Sequence, residues 1–296
     1  MKKFDKQHLI KVLGTVAGEE ELRVAGQKIS EQIISAAKYY MGVPDGKYFQ
    51  STDFPESVTK AKKAYITLNT VMGGETAEED RFKEGKKQIP ELFTPVGVKK
   101  MITLFTHLYA FASGCDATTI CETVRACRQT EVSEGISIVG PLTSTTKLSV
   151  EEIMKLGYGE KNGLAICHYN FYEGSCIFDM ELLGQDYLKP EEREVLLLMG
   201  NKLKSRCEGY DNRYLGKDGQ PALTYVIDVY PPEFAPITET QQELERIVYH
   251  PQTIKEVRNY YTALNAGGEF PVASDCYQEW KSSFQKLVFL ELKKLA

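Results

Sequence analysis

Pro190-Glu191-Glu192-Arg193-Glu194-Val195-Leu196-Leu197-Leu198-Met199-Gly200-Asn201 places two carboxylates, Glu192 and Glu194, one residue apart at the mouth of an apolar run. In an extended backbone both side chains project the same way. Like charges so close are costly unless a ligand or a reaction uses them. Gly184 and Pro190 precede the run and Gly200-Asn201 follows it, which marks it as a strand with the carboxylates at its entrance. The same Pro-Glu-Glu-Arg-Glu also suits the first turn of a helix. Local sequence alone leaves both open, so the rest of the chain has to decide.

Working outward, 296 residues with 42% apolar and 10% aromatic side chains suffice for one large or two modest packed domains. A net charge of -5 opposes general nucleic-acid binding, which needs a basic surface to release counterions. The seven cysteines are odd in number and form no Cys-x-x-Cys pair, so neither a disulfide scaffold nor a zinc knuckle is expected. Met1-Lys2-Lys3 leads into Asp5, Lys6 and Gln7 without an apolar signal core, and no apolar run approaches the roughly 20 residues of a membrane helix. The expectation is a cytoplasmic protein, or one exported without a recognisable signal peptide, with no membrane partner. Nothing in the sequence encodes an oligomeric state.

Helical periodicity runs through residues 5 to 40, then through Val58, Ala61, Tyr65, Leu68 and Met72, and strongly through 98 to 112. The charged run Glu75 to Lys87 reads as a mobile loop or a solvated short helix. From 118 to 230 the texture turns to strands: 118 to 128, 136 to 139, 164 to 171, 176 to 183, 195 to 199, 202 to 207 and 222 to 229. A short helix from Val150, capped by Ser149, interrupts them. Helices return over 239 to 264, broken near His250-Pro251, and over 274 to 295 with Trp280, Phe284, Leu287 and Leu290 on one stripe. The expected class is α+β: a helical region at 1–95, a strand-rich core at 96–235 and a helical extension at 236–296.

Three polar features follow one another in that core. Alternation puts Thr123, Arg125 and Cys127 on one face of the first strand and Val124 and Ala126 on the other. A hydroxyl cluster, Leu142-Thr143-Ser144-Thr145-Thr146, comes next, and Glu192-Arg193-Glu194 last. An arginine fork matches a diphosphate, a carboxylate can stabilise an electron-poor sugar carbon, and a hydroxyl beside that carboxylate favours its ionised form. Each feature also has a plain structural reading. Arg125 could be an ordinary strand arginine, with Arg128 its rival if the register is shifted, and residues 144 to 146 could be turn chemistry after Gly140-Pro141. His168 reads as a structural strand histidine.

In this order the three resemble the mono-ADP-ribosyltransferases of the clostridial-toxin and arginine-specific ecto-enzyme type, with their Arg, Ser-Thr-Ser and Glu-x-Glu motifs. The resemblance covers roughly residues 98 to 230. Thr146 stands in place of the second serine, Leu142 in place of a common aromatic, and no glycine follows Arg125. The resemblance implies a β-sandwich core that consumes NAD as a substrate, without a metal, and transfers ADP-ribose to a protein side chain, arginine for Glu-x-Glu, releasing nicotinamide. Arg125 would hold the phosphates, Ser144, Thr145 and Thr146 would line the dinucleotide site, and Ser144 would orient Glu194. Glu194 would hold the nicotinamide-side ribose and stabilise the departing cation. Glu192 would position the acceptor, with Tyr187 in the substrate-recognition turn. No Gly-x-Gly-x-x-Gly follows a strand, so a Rossmann mode is not expected. Two alternatives share these residues: an inactive binding module on the same scaffold, and an NAD glycohydrolase.

Overall fold

The computed structural model describes residues 35–40, 48–49, 53–59, 64–73, 75–113, 120, 122–140, 142–181 and 190–294. Of the helices read over residues 5 to 40, residues 35–40 are described and helical, whereas residues 5 to 34 and the recognition turn with Tyr187 lie outside the described residues. The chain is α+β and divides into two compact units, one of 1–6 with 112–233 and one of 7–111 with 234–296.

The first unit is built on one mixed sheet of eight strands: β1 (Glu122–Arg128), β2 (Gly135–Ile138), β3 (Thr143–Thr146), β4 (Leu164–Phe171), β5 (Ile177–Asp179), β6 (Glu194–Leu197), β7 (Asn201–Leu215) and β8 (Pro221–Pro232). Their order across the sheet is β2-β7-β8-β4-β1-β3-β6-β5, with β4 and β8 parallel and the other pairs antiparallel. Only Leu198, Met199 and Gly200 join β6 to β7, although five strand spacings separate them in that order. A flat sheet would set them ~24 Å apart, whereas the link reaches at most ~14 Å. The sheet must therefore curl until its two ends meet. Asn201 clasps that junction: its side chain accepts from the Cys176 N–H at 2.8 Å and donates to the carbonyls of Cys176 and Leu198 at 2.6 and 2.8 Å.

Alternation divides the core between the two faces. Cys127, Cys167, Tyr169, Tyr225, Ile227 and Val229 cluster with Leu197 of β6, filling the inside of the curl. On the other face Val124, Leu164, Ile166 and Ala222 pack against Val150 and Ile153 of the helix Val150–Lys155. That helix starts where expected: Ser149 accepts from the Glu152 N–H and the Glu152 carboxylate accepts from the Ser149 N–H. β7 runs eight residues beyond the expected strand end at Cys207. Its second half is polar and carries register shifts near Gly209 and between Asp211 and Leu215, which break the alternation that marks a strand.

The second unit is helical, with Ala64–Met72, Glu75–Lys83, Pro95–Ser113, Gln241–Val248, Pro251–Ala266 and Asp275–Lys293 as its main elements. The Trp280 stripe is a packing face. Its indole lies edge-on to Phe93 and donates to the Val248 carbonyl at 3.1 Å, and Phe93 stacks on Tyr261. The charged run is not a solvated segment throughout: Glu78 is 2% exposed. Its carboxylate pairs with Lys281 and accepts from the hydroxyls of Tyr277 at 2.6 Å and Tyr260 at 2.9 Å. A carboxylate can be buried when counter-ion and donors replace its water. Among the described residues no helix is long and apolar enough to cross a membrane, and no group of three or more His, Cys, Asp or Glu is placed to hold a metal.

Candidate active site

The three motifs lie on neighbouring strands, β1, β3 and β6. Between β3 and β6 the register is Ser144↔Leu196, Thr145↔Val195 and Thr146↔Glu194. Ser144 is thus diagonal to Glu194 on the same face, a separation that side chains bridge. The Ser144 hydroxyl donates to Glu194 Oε1 at 2.5 Å. Ser144 is exposed and Glu194 half-buried, so the pair is reachable from solvent.

The two carboxylates do not share an extended backbone. Pro190–Glu192 is a single 3-10 turn and β6 begins only at Glu194. Both sequence readings of this stretch are therefore partly right, each over its own half. Between the halves Arg193 adopts φ 44°, the one positive φ of a non-glycine among the described residues. This left-handed step turns the chain between the carboxylates and separates their directions. Glu194 faces Ser144, whereas Glu192 accepts a hydrogen bond at 2.9 Å from the hydroxyl of Tyr158, which follows the helix Val150–Lys155. Thr146 fixes the turn by donating to the Glu192 carbonyl at 2.5 Å while accepting from the Leu148 N–H at 3.0 Å. An ion-pair chain braces the same corner. Lys147 pairs with Asp179 at 3.0 Å and with Glu181, and Glu181 pairs with Arg193 at 2.9 Å.

Thr145 takes the opposite face. It is buried, donates to the Val195 carbonyl at 2.9 Å and accepts from the Thr123 hydroxyl at 2.9 Å. Its hydroxyl is spent on holding β1, β3 and β6 together and is not brought to Ser144 and Glu194.

Arg125 reaches the group by another route. The pair Val124↔Thr146 aligns β1 with β3, so Arg125 shares the face of Thr123 and Thr145, as alternation predicts, and not the face of Ser144. Val124↔Thr146 is the one residue pair in register between these strands. Beyond it Arg125 Nη1 donates to the backbone carbonyl of Ser144 at 3.2 Å, a group that strand pairing would otherwise occupy. Nη2 donates to Glu131 Oε2 at 2.7 Å. The Arg125 side chain keeps 29% of its surface exposed. Burial acts against its charge, but Tyr169 and Glu131 outweigh that and raise its pKa further above the ordinary arginine range. Arg128, the rival, alternates to the face of Val124 and Ala126, and its backbone N–H donates to Glu131 Oε1 at 3.0 Å.

Arg125 thus meets the backbone carbonyl of Ser144 from the other face of the sheet, while the Ser144 hydroxyl meets Glu194, with Glu192 and Tyr158 beside it. Glu131 and Tyr158 are additions that the sequence reading missed. His168 accepts or donates at 2.6 Å to Glu122, on the face away from Arg125.

No family model matches the chain, and none of the curated proteins does. Among solved structures, the ADP-ribosyltransferase Vis in complex with agmatine overlaps 69% of this chain and 85% of its own at 11% identity and a TM-score of 0.33. The Vis toxin of Vibrio splendidus overlaps 72% and 89% at 12% identity and 0.33, and Plx2a, an ADP-ribosyltransferase toxin from Paenibacillus larvae, 67% and 96% at 13% and 0.30. Overlaps this loose leave the activity to be read from the chain's own residues.

Proposed function

We propose that the protein is an NAD-dependent mono-ADP-ribosyltransferase that modifies a protein side chain, arginine by its Glu-x-Glu pattern. The observation that carries this is the 2.5 Å bond from the Ser144 hydroxyl to Glu194, with the Arg125 fork on the adjoining strand bonded to the same residue's carbonyl. A carboxylate held in place by a hydroxyl suits a developing sugar cation, and an arginine fork with part of its surface exposed suits a diphosphate. The residues fit NAD in kind: Arg125 would hold the phosphates, Ser144 and Glu194 the nicotinamide-side ribose, and Glu192 with Tyr187 the acceptor. Thr146 would act by fixing the Glu192 turn. The curled sheet would be the β-sandwich core of such an enzyme within 96–235, between helical regions at 1–95 and 236–296.

Incubation with labelled NAD and a cell extract tests the assignment, comparing the protein with Glu194→Gln. Label should pass to extract proteins with the wild type and not with the variant. Equal labelling by both, or by neither with the fold intact, would remove it. NAD consumption without labelling would point instead to a glycohydrolase, with water as acceptor.

A further inference from the structure

Glu131 sits in the single 3-10 turn Gln129–Glu131, which leaves β1 directly after Arg128. The turn is anchored at its start, where the Gln129 N–H donates to the Gly163 carbonyl at 2.8 Å. Both carboxylate oxygens are engaged: Oε1 accepts from the Arg128 backbone N–H at 3.0 Å and Oε2 from Arg125 Nη2 at 2.7 Å. The carboxylate is therefore itself held in place while it holds the guanidinium. With Nη1 tied to the Ser144 carbonyl at 3.2 Å, the fork is fixed at two nitrogens, which defines its plane. A guanidinium has five N–H donors, and the two bonds leave others to meet a ligand. A surface arginine without such bonds would have to surrender its rotamer freedom on binding.

We propose that Glu131 is a positioning residue of the dinucleotide site, acting through Arg125 to present its fork to the diphosphate. The inference rests on the proposed function. A carboxylate beside the arginine also repels an anionic ligand, so its two effects oppose each other. The two-point fixation of Arg125, by the Ser144 carbonyl and by a carboxylate that is itself bonded at both oxygens, favours positioning over repulsion.

The test is the NAD dependence of nicotinamide release by the full chain and by Glu131→Ala, Glu131→Gln, Glu131→Asp and Arg125→Ala. Glu131→Ala should raise KM for NAD about tenfold with kcat little changed, the loss expected of one charge-assisted hydrogen bond. Glu131→Gln should stay closer to wild type, because its amide oxygen still accepts from Arg125, and Glu131→Asp should recover part of the loss. A KM that is unchanged or lowered in Glu131→Ala while Arg125→Ala raises it would overturn this inference and spare the function. An unaltered KM in Arg125→Ala would overturn the function itself. Should Glu131→Ala not fold, Glu131→Gln decides alone: a KM below wild type shows repulsion dominant and overturns the proposal.

Discussion

The Ser144 hydroxyl donates to Glu194 Oε1 across the β3–β6 ladder at 2.5 Å, one diagonal step from the register pair Thr146↔Glu194. The bond fixes the carboxylate's rotamer and with it the direction of the second oxygen. Ser144→Ala should lower kcat for nicotinamide release about tenfold. Ser144→Thr, which keeps the hydroxyl, should retain most of the activity. Steady-state release assays on both variants check this, and equal losses would show that the side chain matters for packing alone.

Glu192 is steadied by Tyr158 at 2.9 Å and stands apart from Glu194 because of the left-handed turn at Arg193. Tyr158→Phe should reduce transfer to a small guanidine such as agmatine about fivefold, the worth of about one hydrogen bond. Hydrolysis of NAD should stay near wild type. Loss of both in parallel would place Tyr158 in the fold rather than in acceptor handling.

Glu78 is buried with Lys281 and two tyrosine hydroxyls in the helical unit. Removing one partner strands the other charge, so Glu78→Ala should cost about 3–5 kcal/mol of stability. Pairing Glu78→Leu with Lys281→Met should recover part of that. Urea unfolding of the single and double variants measures both, and a single-variant loss under about 1 kcal/mol would refute the buried pair.

His107, on the helix Pro95–Ser113, has its pKa lowered to about 4 by burial and by the nearby Lys100 ammonium. Its Nδ1 has no hydrogen-bond partner among the described residues. A depressed folded-state pKa means that the unfolded chain binds the proton first. The stabilisation is whole above the ordinary histidine pKa of 6.5 and is lost as pH falls toward 4. His107→Phe should flatten the fall in thermal midpoint over that window. An identical pH profile in the variant would mean that other groups govern the acid limb.

Much of this was legible in the residue pattern. Alternation along 122–128 assigned Arg125, Thr123 and Cys127 to one face, and the Thr123–Thr145 hydroxyl contact agrees. The opening stretch was ambiguous for a physical reason: Pro190–Glu192 does form a helical turn and Glu194 does start a strand, and the hinge between them is a φ at Arg193 that no side-chain pattern announces. Tyr158 meets Glu192 across 34 residues of sequence, so spacing could not pair them. Glu131 carried no capping signature, because Arg128 stands three residues before it where Ser, Thr, Asp or Asn would mark a helix start. Glu78 was hidden because its neighbours are charged and composition alone reads such a run as solvated.

Nicotinamide release from NAD, measured for the wild type, Glu194→Gln and Glu192→Gln, tests the division of labour between the two carboxylates most directly. Glu194→Gln should abolish release, whereas Glu192→Gln should mainly impair transfer and leave some hydrolysis. Release untouched by both substitutions would contradict the assignment of Glu194 to the sugar cation and, with it, the proposed function.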